Sequence, residues 1–270
     1  MSTWSSRPGK TRFDDAEVDQ LLGESGSVVV TENLAVVTGG AGGLGEFIVR
    51  ALARQGRHVL IADRDPVAGA DLLTRLHNAG GAADFLEVDA SEADGIHTLI
   101  ARSAELGRLR LLINNAGGWL PGPQYPDTDD WGRSLDLNLR MPMLATQLAL
   151  PLLKDGGAVV NVASSGGTDS GPYGSPEYGA AKAGLIRFTT AVADFANRYG
   201  VRVSCVVPHW IGLERAIAEY AQLSAVEQQQ TGALVDPKTV VETILQLADD
   251  KGSAGRVVVV RALADRYASS

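Results

Sequence analysis

From residue 34 onward, short apolar runs rich in β-branched residues alternate with longer stretches whose apolar positions recur at helical spacing. The runs fall near 34–38, 58–62, 84–88, 110–114, 157–163, 201–207 and 256–260, and each predicts a strand. Between them, segments such as 46–55, 67–78 and 182–199 are long and free of proline, and so predict helices. Strand and helix in regular alternation make repeated βαβ units, because a helix must carry the chain back before a parallel strand can be added. The expected fold is therefore α/β, a doubly wound parallel sheet of seven strands with helices on both faces. The last run, Arg256-Val257-Val258-Val259-Val260, is apolar after its first residue and does not alternate, which predicts a strand covered on both faces in or near the sheet interior.

Residues 1–31 break this pattern. Arg7, Lys10 and Arg12 are followed by Asp14, Asp15, Glu17, Asp19 and Glu24 around few apolar positions. The segment reads as an arm, partly disordered or packed on a neighbour, ahead of one domain over 32–270. No internal repeat or linker divides that domain.

Composition narrows the function. With 270 residues, 45% hydrophobic and 21% charged, the chain can bury a large core. A formal net charge of -8 argues against nucleic acid as the main partner, because phosphates would be repelled. The single cysteine, Cys205, lies in an apolar run, so an internal disulfide is impossible and no thiol-ligated metal site is expected. The first 31 residues lack the continuous apolar core of a signal peptide, and no later stretch reaches bilayer length. A cytoplasmic protein without a membrane partner is expected.

The first strand, Leu34-Ala35-Val36-Val37-Thr38, runs into Gly39-Gly40-Ala41-Gly42-Gly43-Leu44-Gly45 and then into a helical stretch. A glycine turn between strand and helix is where backbone amides can close on a pyrophosphate, since a side chain would hold them away. Positions 40, 42 and 45 spell G-x-G-x-x-G, although a glycine cluster alone also describes a tight turn. The second strand ends at Asp63, whose carboxylate is placed to meet adenosine ribose hydroxyls and to disfavour a 2′-phosphate, so NAD is favoured over NADP. Arg64 beside it can still meet a phosphate, and Asp63 can instead pair with Arg64 or Arg50.

Tyr178-Gly179-Ala180-Ala181-Lys182 sets a phenol and an ammonium four residues apart on one helix face. A fixed cation favours phenolate and lowers the tyrosine pKa from about 10, so that the pair can exchange a proton with an alcohol oxygen. A packed tyrosine beside a solvated lysine would produce the same spacing. The fifth strand, Ala158-Val159-Val160-Asn161-Val162, ends in Ala163-Ser164-Ser165, and a short glycine-rich loop leads back to Tyr178, which brings a hydroxyl to the same crevice.

Taken together, residues 34 to 260 resemble the short-chain dehydrogenase/reductase family in its single-domain classical form, with a Rossmann fold. Thr38-Gly39 with Gly43 and Gly45 is similar to the family's T-G-x-x-x-G-x-G turn, and Asn114-Asn115-Ala116-Gly117 to its N-N-A-G motif; Asn138, Ser165, Tyr178 and Lys182 match its tetrad. The resemblance implies that Tyr178 is the acid/base, that Lys182 depresses its pKa and grips the nicotinamide ribose, and that Ser165 bonds the substrate oxygen. Ser164 is the competing hydroxyl, but Ser165 stands at the family's interval from the tyrosine. Asn138 would hold a water linking Lys182 to solvent; alone it reads as an ordinary polar helix residue.

Implied cofactor contacts are Gly39, Gly43, Leu44, Gly45, Asp63, Asp89, Ala90, Asn115, Ala116, Gly117, Tyr178, Lys182, Pro208 and Ile211. Asp89 resembles the residue that meets the adenine, and it also suits a helix N-cap. The family's usual homotetramer or homodimer is implied as well.

The chain departs from the family after the sixth strand, in Pro208-His209-Trp210-Ile211-Gly212-Leu213. His209 stands where glycine is usual and Leu213 where a threonine often touches the cofactor. A lone histidine at a loop start is more often structural than titrating chemistry. Arg261-Ala262-Leu263-Ala264-Asp265-Arg266-Tyr267 also replaces the family's glycine-rich finish. The substrate wall should come from 118–120, 166–175 and 210–231, where Trp119, Tyr173 and Trp210 suit a ring-bearing substrate, a core or an interface alike. The expected activity is hydride transfer between a nicotinamide cofactor and a secondary alcohol or ketone; the alternative is a non-catalytic dinucleotide-binding sensor or scaffold of the same fold.

Overall fold

Leu34, Ala35, Val36 and Val37 are wholly buried, so the first strand packs against helices on both of its faces. In this computed structural model, which describes residues 31–119, 131–168 and 175–262, that strand is β1 (Thr31–Thr38), in the interior of the sheet. β2 (His58–Asp63), β3 (Ala83–Glu87), β4 (Gly107–Asn114), β5 (Ala158–Val162), β6 (Arg202–Pro208) and β7 (Val257–Val260) complete it. The order is β3-β2-β1-β4-β5-β6-β7 and every pairing is parallel.

The helices are α1 (Gly43–Arg54), α2 (Pro66–Asn78), α3 (Ala93–Leu106), α4 (Trp131–Leu135), α5 (Met141–Leu153), α6 (Pro176–Ala191), α7 (Phe195–Tyr199), α8 (Glu214–Ala221), α9 (Ala225–Thr231) and α10 (Pro237–Asp249). Period-two alternation divides them into layers. Ala35 and Val37 face Ile48 and Leu52 of α1, Leu72 of α2 and Ile244 of α10. Leu34 and Val36 face Ile96 and Leu99 of α3 and Ala145 and Ala149 of α5. Successive residues of one strand thus fill two cores, the doubly wound arrangement expected.

Two expectations are corrected. The helix anticipated over 182–199 begins earlier, at Pro176, and breaks at 192–194 into α6 and α7. Ala193 there meets the backbone of Gly255, where an added Cβ would lie 2.6 Å from the Ala193 Cβ. The Asp194 carboxylate takes up Asn197 and Arg198 at the restart. β7 is an edge strand, not an interior one, and Val259 is 44% exposed. Val257 and Val258 do pack against cores on opposite faces, which accounts for the missing alternation. The arm expected over 1–31 lies, apart from Thr31, outside the described residues.

β1 is flanked by β2 on one side and by β4 on the other, so the strand order reverses at β1. A crevice opens above the carboxyl ends of β1 and β4, and the candidate residues gather along it.

Candidate active site

The glycine turn is locked by its neighbours. Gly39 (φ +61°) and Gly43 (φ +52°) adopt the left-handed conformation, and a Cβ on Gly45 would lie 1.9 Å from the Gly39 carbonyl oxygen. Asn115 Nδ2 donates to the carbonyls of Thr38 (3.0 Å) and Gly39 (2.9 Å). Thr38 Oγ1 accepts from the Asn115 and Ala116 amides at 3.1 and 3.0 Å. This fastens the turn to the N-N-A-G segment after β4. Gly42 is the N-cap of α1, with no side-chain cap, and nothing lies within 4 Å of where its Cβ would be. The first-turn amides of α1 and the open space beside Gly42 suit a pyrophosphate. The Leu44 side chain is buried in the core, so only its backbone can serve a ligand. Leu213 lies 3.7 Å from the Cβ position of Gly43, so that departure from the family sits directly on the turn.

Beside the turn, a cavity of about 150 Å³ is lined by Asp63, Arg64, Asp89, Ala90 and Arg133, with Ala116 and Gly117. Asp63 Oδ2 accepts from the Ala41 amide (2.9 Å) and Oδ1 from the Asp65 amide (3.1 Å). A carboxylate has about four acceptor positions, so two fixed bonds orient it and leave capacity for ribose hydroxyls. Arg50 pairs with Glu46 at 3.1 Å. Asp89 accepts from the amide and hydroxyl of Ser91 at 2.8 and 2.7 Å; the N-cap of α3 is Glu92. Burial would raise the Asp89 pKa, but these bonds and the Arg64 and Arg133 charges outweigh it and hold the carboxyl below its ordinary value. Arg133 escaped the sequence reading because nothing local ties the start of α4 to the end of β3.

Lys182 is buried on α6 and donates to the Val162 carbonyl at the end of β5 (3.0 Å). Its Nζ is 5.6 Å from the centroid of the Tyr178 ring, one helical turn away. Burial depresses the Lys182 pKa to about 8, and burial of the nearby Cys205 pushes its thiol up to about 12. That thiol is neutral at physiological pH and gives Lys182 no counter-charge. Asn138 lies wholly buried in a π turn, Asp136–Arg140, between α4 and α5. It accepts from the Gly118 amide (2.9 Å) and donates to the carbonyls of Gly118 and Ser134 (both 3.1 Å). A Cβ on Gly117 would meet Asn138 Oδ1 at 2.8 Å and Lys182 Nζ at 2.9 Å, so the missing side chain lets those two groups converge.

Ser165 opens a 3₁₀ turn, Ser165–Gly167, that lies on α6; a Cβ on Gly167 would be 2.5 Å from the Ala183 amide. Ser164 Oγ accepts from the Gly166 amide (3.2 Å) as the cap of that turn, and Ser165 is the first residue within it. Past Pro208, the His209 amide donates to Val260 O (2.9 Å), and Ile211 is held in a parallel bridge with Val235. Trp210 packs edge-on against Tyr220, centroids 6.0 Å apart, which makes it part of the protein's own packing. Trp119 is 42% exposed. Leu120 and Tyr173 lie outside the described residues.

The family model described as short chain dehydrogenase matches residues 33–222. The cis-4-hydroxycyclohexanecarboxylate dehydrogenase of Sinomonas cyclohexanicum is 34% identical over 232 residues, covering 82% of this chain and 91% of that protein. The 7alpha-hydroxysteroid dehydrogenase of Bacteroides fragilis is 30% identical over 239 residues, covering 84% and 92%. Among solved structures, an actinorhodin polyketide ketoreductase variant with NADPH superposes with a TM-score of 0.75 at 28% identity, covering 86% of this chain and 97% of that one.

Proposed function

The chain belongs to the short-chain dehydrogenase family, oxidoreductases that act on hydroxyl and keto groups with a nicotinamide cofactor, and on that premise we propose that it interconverts a secondary alcohol and a ketone with NAD, with Tyr178 moving the proton. The bound dinucleotide would supply or take up the hydride. In reduction, the Tyr178 hydroxyl gives its proton to the carbonyl oxygen, and the Lys182 ammonium stabilises the phenolate left behind. Ser165 donates to the same substrate oxygen. Asn138 and Lys182 converge at Gly117, which supports a role for Asn138 in holding a water that links Lys182 to solvent.

The observation that carries this reading is the buried Lys182 ammonium, fixed by Val162 O and 5.6 Å from the Tyr178 ring. With a pKa of about 8 it is mostly protonated at neutral pH and can hold a phenolate. The Asp63 carboxylate, fastened to the glycine turn, supports NAD by repelling a 2′-phosphate. The ring-bearing substrates named for the two relatives support a cyclic secondary alcohol or ketone here. One domain over 32–270, a homodimer or homotetramer, and a cytoplasmic location belong to the same proposal.

A panel of cyclic alcohols and ketones, read at the nicotinamide absorbance with both cofactors, tests it. NADH should exceed NADPH in kcat/KM by about tenfold, roughly 1.4 kcal/mol, and the opposite preference would remove the assignment to NAD. Tyr178→Phe should lower kcat by roughly 100- to 10,000-fold while NADH still binds and the thermal midpoint holds. Near-normal turnover in that variant would exclude the tyrosine role. Tight NADH binding without turnover across the whole panel would favour the sensor or scaffold reading.

A further inference from the structure

A second cavity lies at the other end of the sheet, where the strands begin, away from the crevice just described. It has a volume of about 520 Å³ and is lined by Arg57, Arg110, Arg202 and Lys251, with Asn33 and Asp249. Sequence scatters these residues over more than half the chain, but a parallel sheet brings the starts of β1, β2, β4 and β6 to one edge.

The charges there are poorly matched. Arg57 bridges Asn33 Oδ1 (3.0 Å) and Asp249 (2.9 Å), and among the described residues this is the one ion pair that the four cations make. Arg110 donates to the Asp155 carbonyl (3.1 Å), and Arg202 to the carbonyls of Asp250, Gly156 (3.2 Å) and Ala248 (3.1 Å). The neighbouring carboxylates are already engaged, Asp155 with Arg108 at 3.3 Å and Asp250 with Arg256. Burial presses the Arg202 pKa below its ordinary value, and Asp250 and Asp249 only partly offset this. In a chain with 32 acidic and 24 basic residues, this cleft gathers, among the described residues, four cations against one lining carboxylate.

The carbonyl bonds hold the guanidinium planes still without neutralising them. Among the described residues Arg110 uses one of its five N–H donors, and an arginine fork fits phosphate or carboxylate through paired bonds. The volume lies within the range of small-molecule pockets. We propose that this cleft is a binding site for a small polyanion bearing phosphate or carboxylate groups, separate from the nucleotide crevice.

The test is calorimetry on the full chain saturated with NADH, so that the glycine turn is already filled, with inorganic pyrophosphate and citrate as titrants. At least one should bind saturably. Arg110→Gln combined with Lys251→Gln should weaken it by tenfold or more while leaving the thermal midpoint without anion unchanged. Lys251→Gln alone, on an exposed residue, serves should the double variant fold poorly, and is expected to weaken binding severalfold. Pyrophosphate binding alone would assign a phosphate ligand, citrate alone a carboxylate one. No saturable binding up to about 10 mM, weaker than the millimolar range, would overturn the site, as would binding unchanged in these variants. Binding that emerges only after Asp14, Asp15, Glu17 and Asp19 are changed to their amides would overturn it in favour of the chain's own acidic segment.

Discussion

The two halves of the active crevice hold their groups by opposite means. On the β1–β3 side, the geometry depends on atoms that are absent: Gly45 presses on the Gly39 carbonyl, and Gly39 on Ala116. On the β4–β6 side it depends on polar atoms buried under the sheet's end. Asn114 donates to Asn161 Oδ1 (2.8 Å), Asn161 to Thr189 Oγ1 (3.0 Å) and Thr189 to Leu185 O (3.0 Å), within the same layer as Lys182. The first half should therefore reject an added methyl, and the second should reject the loss of a polar partner or reward the removal of a charge.

The largest effect is expected on the glycine side. Gly45→Ala should lose about 3 kcal/mol of stability in urea unfolding, because a backbone oxygen must move, and this outweighs the ~1 kcal/mol an alanine gains in a helix. Nucleotide binding should fall with it. Gly42→Ala, which points into open space, should cost under about 1 kcal/mol. Equal stability in the two variants would break the distinction between close approach and mere turn composition.

Lys182→Met tests the other half. A folded pKa of about 8 against an ordinary 10.5 means that the native state disfavours the charged lysine, by about 3 kcal/mol at pH 7. Losing the bond to Val162 O returns about 1 kcal/mol, so the variant should be more stable than the parent by about 2 kcal/mol, and inactive. Because the folded pKa is depressed, the parent recovers as pH rises from about 8 toward 10.5, and the gap between the two should close over that window. A variant less stable than the parent at pH 7 would show the ammonium to be well compensated. A smaller effect than that of Lys182→Met, about 1 kcal/mol, is expected of Thr189→Val, which leaves the Asn161 amide buried without its acceptor.

Much of the site was legible because its signals are local. Tyr178 and Lys182 share a face through helical periodicity, and the turn from Gly39 to Gly45 follows its strand directly. The break in the helix at 192–194 was not, since it answers to Gly255, more than sixty residues away. Nor was Arg133, whose charge acts on Asp89 only because the fold brings the start of α4 to the cavity that Asp89 also lines. The edge position of β7 escaped as well: a valine run signals contact on two faces and carries no information about lateral neighbours.

By itself, then, the sequence determined the alternation of strands and helices, the place of the glycine turn and the spacing of Tyr178 and Lys182, because backbone sterics and periodicity act over a few residues. Only the tertiary structure decided that Ser164 caps its own turn, that Leu213 rests on Gly43, and that Arg57, Arg110, Arg202 and Lys251 share one cleft. Those relations depend on strand order and parallel register, which join positions distant along the chain and leave no periodic trace within it.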